Sequence, residues 1–128
     1  MNGRMISPGL VEGEAIVSSD PIGFYGGIDL NTGVVIDKGH PLEGESVKGK
    51  ILVFPNGKGS TVGSYVIYGL EKNGVGPLGI INKETETIVA TGAILAGIPC
   101  VDQIDISKIK TGDRIVLNAD EGEVTVNG

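Results

Sequence analysis

Glycine is the residue that most constrains the fold of this chain. The 128 residues contain 22 glycines, which separate apolar runs only a few residues long. No strict Gly-x-y period is present, and this excludes a collagen-like triple helix. Because glycine suits turns and weakens the interior of helices and strands, the spacing predicts a turn-rich α/β globule with short elements. From the length we expect a single domain over residues 1–128.

Apolar runs bounded by turn residues predict a series of short strands. The clearest is Ile51–Phe54, a continuous apolar run typical of a strand that is buried on both faces. Residues 11–14 have the composition of a turn. Further strands are expected at residues 15–18, 33–37, 78–81, 98–101, 114–117 and 123–126, with a hairpin at residues 120–122 between the last two.

Two segments carry apolar residues at helical spacing. The first helix is expected to begin with Ser60 in the N-cap position and to end at residues 73–74. The second is expected over residues 84–96 with Gly97 as its C-cap, although the interior Gly92 costs about 1 kcal/mol relative to alanine. Its predicted inward face consists of Ile88, Val89, Gly92, Leu95 and Ala96. Together the elements indicate a three-layer or barrel-like α/β domain, because a doubly wound sheet needs more strand–helix units than this chain can hold.

Charge and residue inventory exclude several classes of function. The formal net charge is −6 and the basic residues are scattered, which disfavours binding to nucleic acid or to anionic membranes. No apolar run approaches the ~20 residues that span a bilayer, and the N-terminus does not resemble a signal peptide. One cysteine, Cys100, forms no internal disulfide and fits a cytoplasmic protein. One cysteine and one histidine are too few for a structural zinc site or an iron–sulfur cluster, so we expect no metal in this chain.

The segment with the strongest chemical signal follows the strand Ile51–Phe54. It is Gly57-Lys58-Gly59-Ser60, placed directly before the first predicted helix. Unpaired N–H groups at the start of a helix favour an anion, and glycines allow a ligand to approach the backbone closely. The spacing matches neither the dinucleotide fingerprint nor the Walker loop. Ser60 is therefore either a helix cap or a catalytic group, and as a catalytic group it would need residues from another chain.

Four other residues are weaker candidates for a role in chemistry. His40 lies in a Gly-His-Pro loop and is expected to be structural or solvated. Cys100 lies in an apolar strand and is expected to be a buried core thiol. Asp29 and Asp37 lie beside turn residues and are expected to form turns.

The Gly57–Ser60 segment and several other stretches of the chain resemble the small subunit, or swivelling domain, of the aconitase X family. The matching stretches are residues 21–29, 32–37, 40–42, 54–65 and 93–99, so the likeness covers nearly the whole chain. The resemblance implies a swivelling β/β/α domain with barrel-like strands and two main helices. It also implies hydro-lyase activity shared with a large partner subunit that carries a [4Fe–4S] cluster. By the same resemblance Ser60 is the proton acceptor. The substrate-binding residues that we expect are Gly57, Lys58, Gly59, Thr61 and Ser64.

The reaction implied by the resemblance is loss of water from (R)-5-phosphomevalonate to give trans-anhydromevalonate 5-phosphate, in an archaeal mevalonate route to isoprenoids. Two alternatives remain open: dehydration of another hydroxy acid such as a hydroxyproline, and a non-catalytic module that stabilises its partner. Residues 91–99, 111–116 and 122–124 also resemble the mobile phosphohistidine domain of phosphoenolpyruvate-using enzymes. Because residues 91–99 contain no histidine, we expect a shared fold without a shared function.

Overall fold

The computed structural model describes residues 1–127, and over these residues the chain forms a seven-stranded mixed sheet with two α-helices. The elements are β1 (Arg4–Ser7), β2 (Leu10–Val17), β3 (Ile51–Phe54), α1 (Gly63–Lys72), β4 (Gly79–Asn82), α2 (Thr87–Ala96), β5 (Cys100–Asp102), β6 (Arg114–Asn118) and β7 (Glu123–Asn127). The strand order is β1-β5-β4-β3-β2-β6-β7. Strands β2, β3, β4 and β5 run parallel, and the outer pairings are antiparallel.

The two edges of the sheet meet at one end, which makes the sheet barrel-like as predicted. Asn2 and Glu123 form an isolated antiparallel bridge between the start of the chain and β7. The Val124 N–H donates to the Met1 carbonyl at 2.8 Å, and the Met1 amino group donates to the Val124 carbonyl at 2.6 Å. Backbone groups that would be unpaired at an edge are thereby satisfied, so this end of the sheet offers no template for pairing with another chain.

Strand β3 separates two hydrophobic cores. Ile51 and Val53 belong to the cluster inside the curled sheet, whereas Leu52 and Phe54 belong to the cluster beneath the helices. All four are completely buried, which confirms the prediction of a strand covered on both faces. Each contributes roughly 1.5–3 kcal/mol through burial. The strand that leads into the Gly57–Ser60 segment is consequently anchored on both sides.

The close approach of α1 and α2 explains the glycine inside the second helix. A Cβ placed on Gly92 would lie 2.7 Å from Ile67 Cδ1 and 3.1 Å from the Ser64 carbonyl oxygen. Only glycine fits at this contact, so its cost in helix propensity is offset by packing. The predicted inward face is correct at Val89 and Gly92 but wrong at Leu95, which is half exposed, since Ala93 takes the buried position.

Both helices begin later than the sequence predicts: the N-cap of α1 is two residues later, at Val62 instead of Ser60, and α2 starts three residues later, at Thr87 instead of residue 84. Helix α2 starts at Thr87 with Glu86 as its N-cap, and it ends as predicted at Gly97, which has a left-handed φ of 70°. Helix α1 starts at Gly63, and its C-cap is Asn73. Neither helix of residues 1–127 is long and apolar enough to cross a membrane.

Three strand assignments differ from the prediction. Residues 11–14 lie within β2 rather than in a turn, because Gly13 pairs with Ile115 of β6 while its neighbours Glu12 and Glu14 face solvent. Residues 33–37 form only isolated bridges, since the chain turns at Gly33 (φ 73°) and brings Val35 alone into the core. Strand β1 was not predicted, because it is a four-residue edge strand with little apolar pattern.

Candidate functional site

The chain leaves β3 through a loop that is fixed at both sides of Gly57. The Ile22 N–H donates to the Asn56 carbonyl at 3.2 Å, and the Lys58 N–H donates to the Ile22 carbonyl at 3.0 Å. The Gly57 N–H donates to Glu86 Oε1 at 3.2 Å. A strand-like bridge on one side and a carboxylate on the other therefore determine where the following residues project.

Ser60 lies at the exposed apex of this loop. Gly59 precedes it with a φ of 88°, a left-handed conformation that favours glycine. The Ser60 hydroxyl oxygen accepts a hydrogen bond from the Val62 N–H at 3.1 Å. The side chain is otherwise open to solvent, so the hydroxyl is oriented by the backbone and remains accessible.

The prediction that Ser60 is the N-cap of α1 is wrong. Val62 occupies the cap position, already in helical conformation and without a side-chain cap. Two turns precede the helix, closed by the Gly63 N–H on the Ser60 carbonyl at 2.9 Å and by the Ser64 N–H on the Thr61 carbonyl at 3.2 Å. These turns satisfy the first donors that a cap would otherwise satisfy, so stabilisation of the helix does not account for the serine at position 60.

Three consecutive N–H groups at the apex are free. No hydrogen bond among residues 1–127 uses the N–H of Gly59, Ser60 or Thr61 as donor. Consecutive free backbone donors in a turn are available to bind an anion or an oxygen that gains negative charge. Lys58 adds a cation at the same loop, with its side chain lying against Gly23.

The structure brings the predicted site residues into one loop, with one of them behind it. Gly57 is buried, whereas Lys58, Gly59, Ser60 and Thr61 are exposed. Ser64 is buried, and its hydroxyl donates to the Thr61 carbonyl at 2.9 Å. Ser64 therefore supports the loop from beneath.

A groove of about 440 Å³ lies beside the loop and is lined by two of the three exposed tyrosines. Its walls include Tyr25, Val62 and Tyr65, and the two tyrosines are 64% and 69% exposed. The third tyrosine, Tyr68, follows one turn later on α1 and is also exposed. Such a concentration on one face is typical of a protein–protein interface. The sequence analysis did not predict this surface. The signal that could have indicated it is the i, i+3 spacing of Tyr65 and Tyr68, which places two tyrosines on one face of α1.

A larger pocket of about 660 Å³ lies at the carboxyl ends of the parallel strands. It opens next to Val17, Pro55, Lys83 and Gln103, and its walls are mainly apolar. Gln103, in the wall of this pocket, has a left-handed φ of 62°. The Ser60 loop is the stronger candidate site despite the pocket's size, because the loop holds the free donors and the accessible hydroxyl.

The weaker candidates His40, Asp29 and Cys100 have structural roles, and Asp37 lies in a turn in which its carbonyl accepts from the His40 N–H at 3.2 Å. His40 is largely buried, with Nδ1 accepting from the Leu42 N–H at 3.1 Å and Nε2 donating to the Pro21 carbonyl at 3.0 Å. Asp29 Oδ1 accepts from two following N–H groups, as expected of a turn former. Cys100 is a buried free thiol, as predicted, and burial raises its pKa to about 12. Residues 1–127 contain no group of three His, Cys, Asp or Glu side chains that could hold a metal ion.

Comparison with known proteins decides the family of the chain. The model of the aconitase X swivel domain matches residues 1–126. The chain belongs to the aconitase X swivel domain family. The crystal structure of Thermococcus kodakaraensis aconitase X in its holo form superimposes on this swivel domain with a TM-score of 0.98 and 56% identity, covering 99% of this chain and 97% of the other. The expectation of a swivelling domain is thereby confirmed.

Relatives of this swivel domain carry a common name. A protein of Methanocaldococcus jannaschii is 61% identical and one of Thermococcus gammatolerans is 60% identical, each over 126 residues. In both cases the match covers 98% of this chain and 96% of the relative. Both relatives are called phosphomevalonate dehydratase small subunit.

Proposed function

We propose that this chain is the small subunit of a hydro-lyase that dehydrates (R)-5-phosphomevalonate to trans-anhydromevalonate 5-phosphate, with Ser60 as the proton acceptor. The observation that carries the proposal is 60–61% identity over almost the full length to subunits named for this enzyme. The accessible Ser60 hydroxyl beside free backbone donors supports the assignment of the residue. Dehydration of a hydroxyproline is not favoured, because the relatives are named for phosphomevalonate.

The elimination needs a base near the carbon next to the hydroxyl-bearing carbon. The base takes a proton from C2, and the C2–H electron pair forms the C2–C3 double bond. The C3–O bond breaks, and the hydroxyl leaves with that bonding pair as hydroxide, which together with the removed proton makes up the water that is lost. Serine is a weak base unless its alkoxide is stabilised. The Val62 N–H already donates to the Ser60 oxygen at 3.1 Å, and the Lys58 ammonium adds positive charge at the same loop. The free N–H groups of Gly59 and Thr61 are suited to an anionic group of the substrate.

A second chain completes the site in this proposal. The relatives are named small subunits, which implies a large subunit as partner. An iron–sulfur cluster does not fit the donors of this chain, whose sole cysteine is buried in the core. We therefore place the expected [4Fe–4S] cluster in the large subunit. The tyrosine-lined groove adjoins the Ser60 loop through Val62, so we expect the large subunit to cover both.

A substrate panel tests the proposed reaction. The reconstituted complex is given (R)-5-phosphomevalonate, unphosphorylated mevalonate and a hydroxyproline, and the products are identified by mass spectrometry. We expect loss of water from the phosphorylated substrate, with far slower turnover of the other two. Preferred turnover of the hydroxyproline would contradict the proposal and would support the alternative substrate class.

A further inference from the structure

Glu86 holds the loop that carries Ser60 while it caps helix α2. Its Oε2 accepts from the Ile88 N–H at 2.8 Å, and its Oε1 accepts from the Val89 N–H at 3.1 Å. The same Oε1 also accepts from the Gly57 N–H at 3.2 Å. One carboxylate thus joins the first turn of α2 to the loop, three residues before the proposed base.

The length of the Glu86 side chain is explained by its contact with the loop and not by its role as a helix cap. Preferred N-cap residues are Asp, Asn, Ser and Thr, whose short side chains reach the second and third N–H groups of a helix. Glutamate has one methylene more than aspartate, and that extra reach places an oxygen between α2 and Gly57. A Cβ on Gly57 would lie 2.5 Å from this oxygen, so glycine at position 57 leaves room for the contact.

Glu86 itself is supported by a buried polar network. The adjacent Thr85 donates from its N–H to Asp102 Oδ2 at 2.9 Å and from its hydroxyl to Asn82 Oδ1 at 2.7 Å. Asn82 in turn donates to the Phe54 carbonyl at 2.9 Å. The segment that carries Glu86 is therefore tied to the last residue of β3, from which the Ser60 loop departs. Rigid support of this kind is what an active-site loop needs if its geometry is to be fixed before substrate binds.

We propose that Glu86 is a positioning residue for the reaction: its hydrogen bond to the Gly57 N–H holds the loop so that Ser60 projects into the shared site. This inference rests on the proposed function, since it takes Ser60 to be the proton acceptor. It assigns Glu86 no contact with substrate.

Glu86→Asp separates the two roles of the side chain. Aspartate is a preferred N-cap residue and keeps the bonds to Ile88 and Val89, but it is too short to reach Gly57 as well. We expect the melting temperature to stay close to that of the wild type. Amide hydrogen exchange at Gly57 should become roughly tenfold faster or more, as for loss of one bond to a charged acceptor, with Val89 still protected. In the reconstituted complex kcat should fall about 10- to 100-fold with little change in KM.

Two further measurements make the test specific. Glu84→Asp is the matched control, because it makes the same chemical change two residues earlier on an exposed side chain. With substrate deuterated at C2, the isotope effect on kcat should rise in Glu86→Asp, since a displaced base slows proton removal. The inference is overturned if kcat of Glu86→Asp equals that of Glu84→Asp, or if kcat falls without faster exchange at Gly57. If Ser60→Ala keeps its turnover, the proposed role of Ser60 fails instead, whatever happens at Gly57.

Discussion

Replacement of Ser60 by alanine separates catalysis from stability unusually well in this chain. The hydroxyl makes one hydrogen bond, from the Val62 N–H at 3.1 Å, and the residue is exposed. In the variant, water replaces the hydroxyl as acceptor for that N–H. The chain therefore loses no buried partner, and the loop keeps its turns through the Ser60 and Thr61 carbonyls.

The expected loss of stability is at most about 1 kcal/mol, the net contribution of one exposed hydrogen bond. For a domain of this length that corresponds to a fall in melting temperature of about 3–5 °C. Loss of a general base is expected to lower kcat about a hundredfold or more. The ratio of the two effects is the diagnostic quantity, because a structural serine would change the melting temperature and leave kcat nearly unchanged.

The assay is turnover of (R)-5-phosphomevalonate by the reconstituted complex, alongside thermal melts of the small subunit. Ser46→Ala is the control, because the Ser46 hydroxyl accepts from the Lys48 N–H at 3.2 Å with the same i to i+2 spacing, far along the chain from the loop. The Ser46 hydroxyl also donates to the Thr32 carbonyl at 3.3 Å, so Ser46→Ala should lose at least as much stability as Ser60→Ala and keep its turnover. A Ser60→Ala complex with near-normal kcat would refute the assignment of Ser60 as the base.

Two other predictions concern the core. Gly92→Ala forces a methyl group to within 2.7 Å of Ile67 Cδ1 and should destabilise the fold by about 1–3 kcal/mol in urea unfolding, whereas Thr91→Ala on the exposed side of α2 should not. An equal effect of the two would show that the helices separate easily. Burial raises the pKa of the Cys100 thiol from 9.0 to about 12, so native protein at pH 8 should resist iodoacetamide. The thiol ionises from about pH 9 in the unfolded chain but only near pH 12 in the native protein. The free energy of unfolding, measured relative to that of Cys100→Ala, should therefore decrease as the pH is raised from 9 towards 12. A difference in unfolding free energy that does not change with pH over this range would contradict the prediction.

The sequence predicted those elements whose signal is local. Ile51–Phe54 has its apolar run and Gly97 its left-handed cap, and both are where they were expected. Residues 33–37 have the composition of a strand but find no continuous partner, because pairing depends on where the rest of the chain lies. Gly92 has no evident reason to lie inside a helix when the sequence is read locally. Its reason is non-local, because the Ile67 side chain that occupies the space of a Cβ at position 92 belongs to another helix.

The site shows the same division between local and non-local information. Gly57, Gly59 and Ser60 could be singled out from their order along the chain, because a strand, two glycines and a serine lie within ten residues. The contact between Gly57 and Glu86 spans 29 residues and carries no sequence motif, so it could not be anticipated. The exposed tyrosines belong to two segments, and they form one surface only after the loop around Tyr25 packs along α1.

The most direct test of the central claim is a subunit-mixing titration. The large subunit is held at fixed concentration, this chain is added, and the rate of water loss from (R)-5-phosphomevalonate is followed. We expect neither chain to be active alone, and we expect the activity to rise and to saturate at a stoichiometric ratio of the two. Full activity of the large subunit by itself would contradict the claim that this chain supplies a necessary part of the active site.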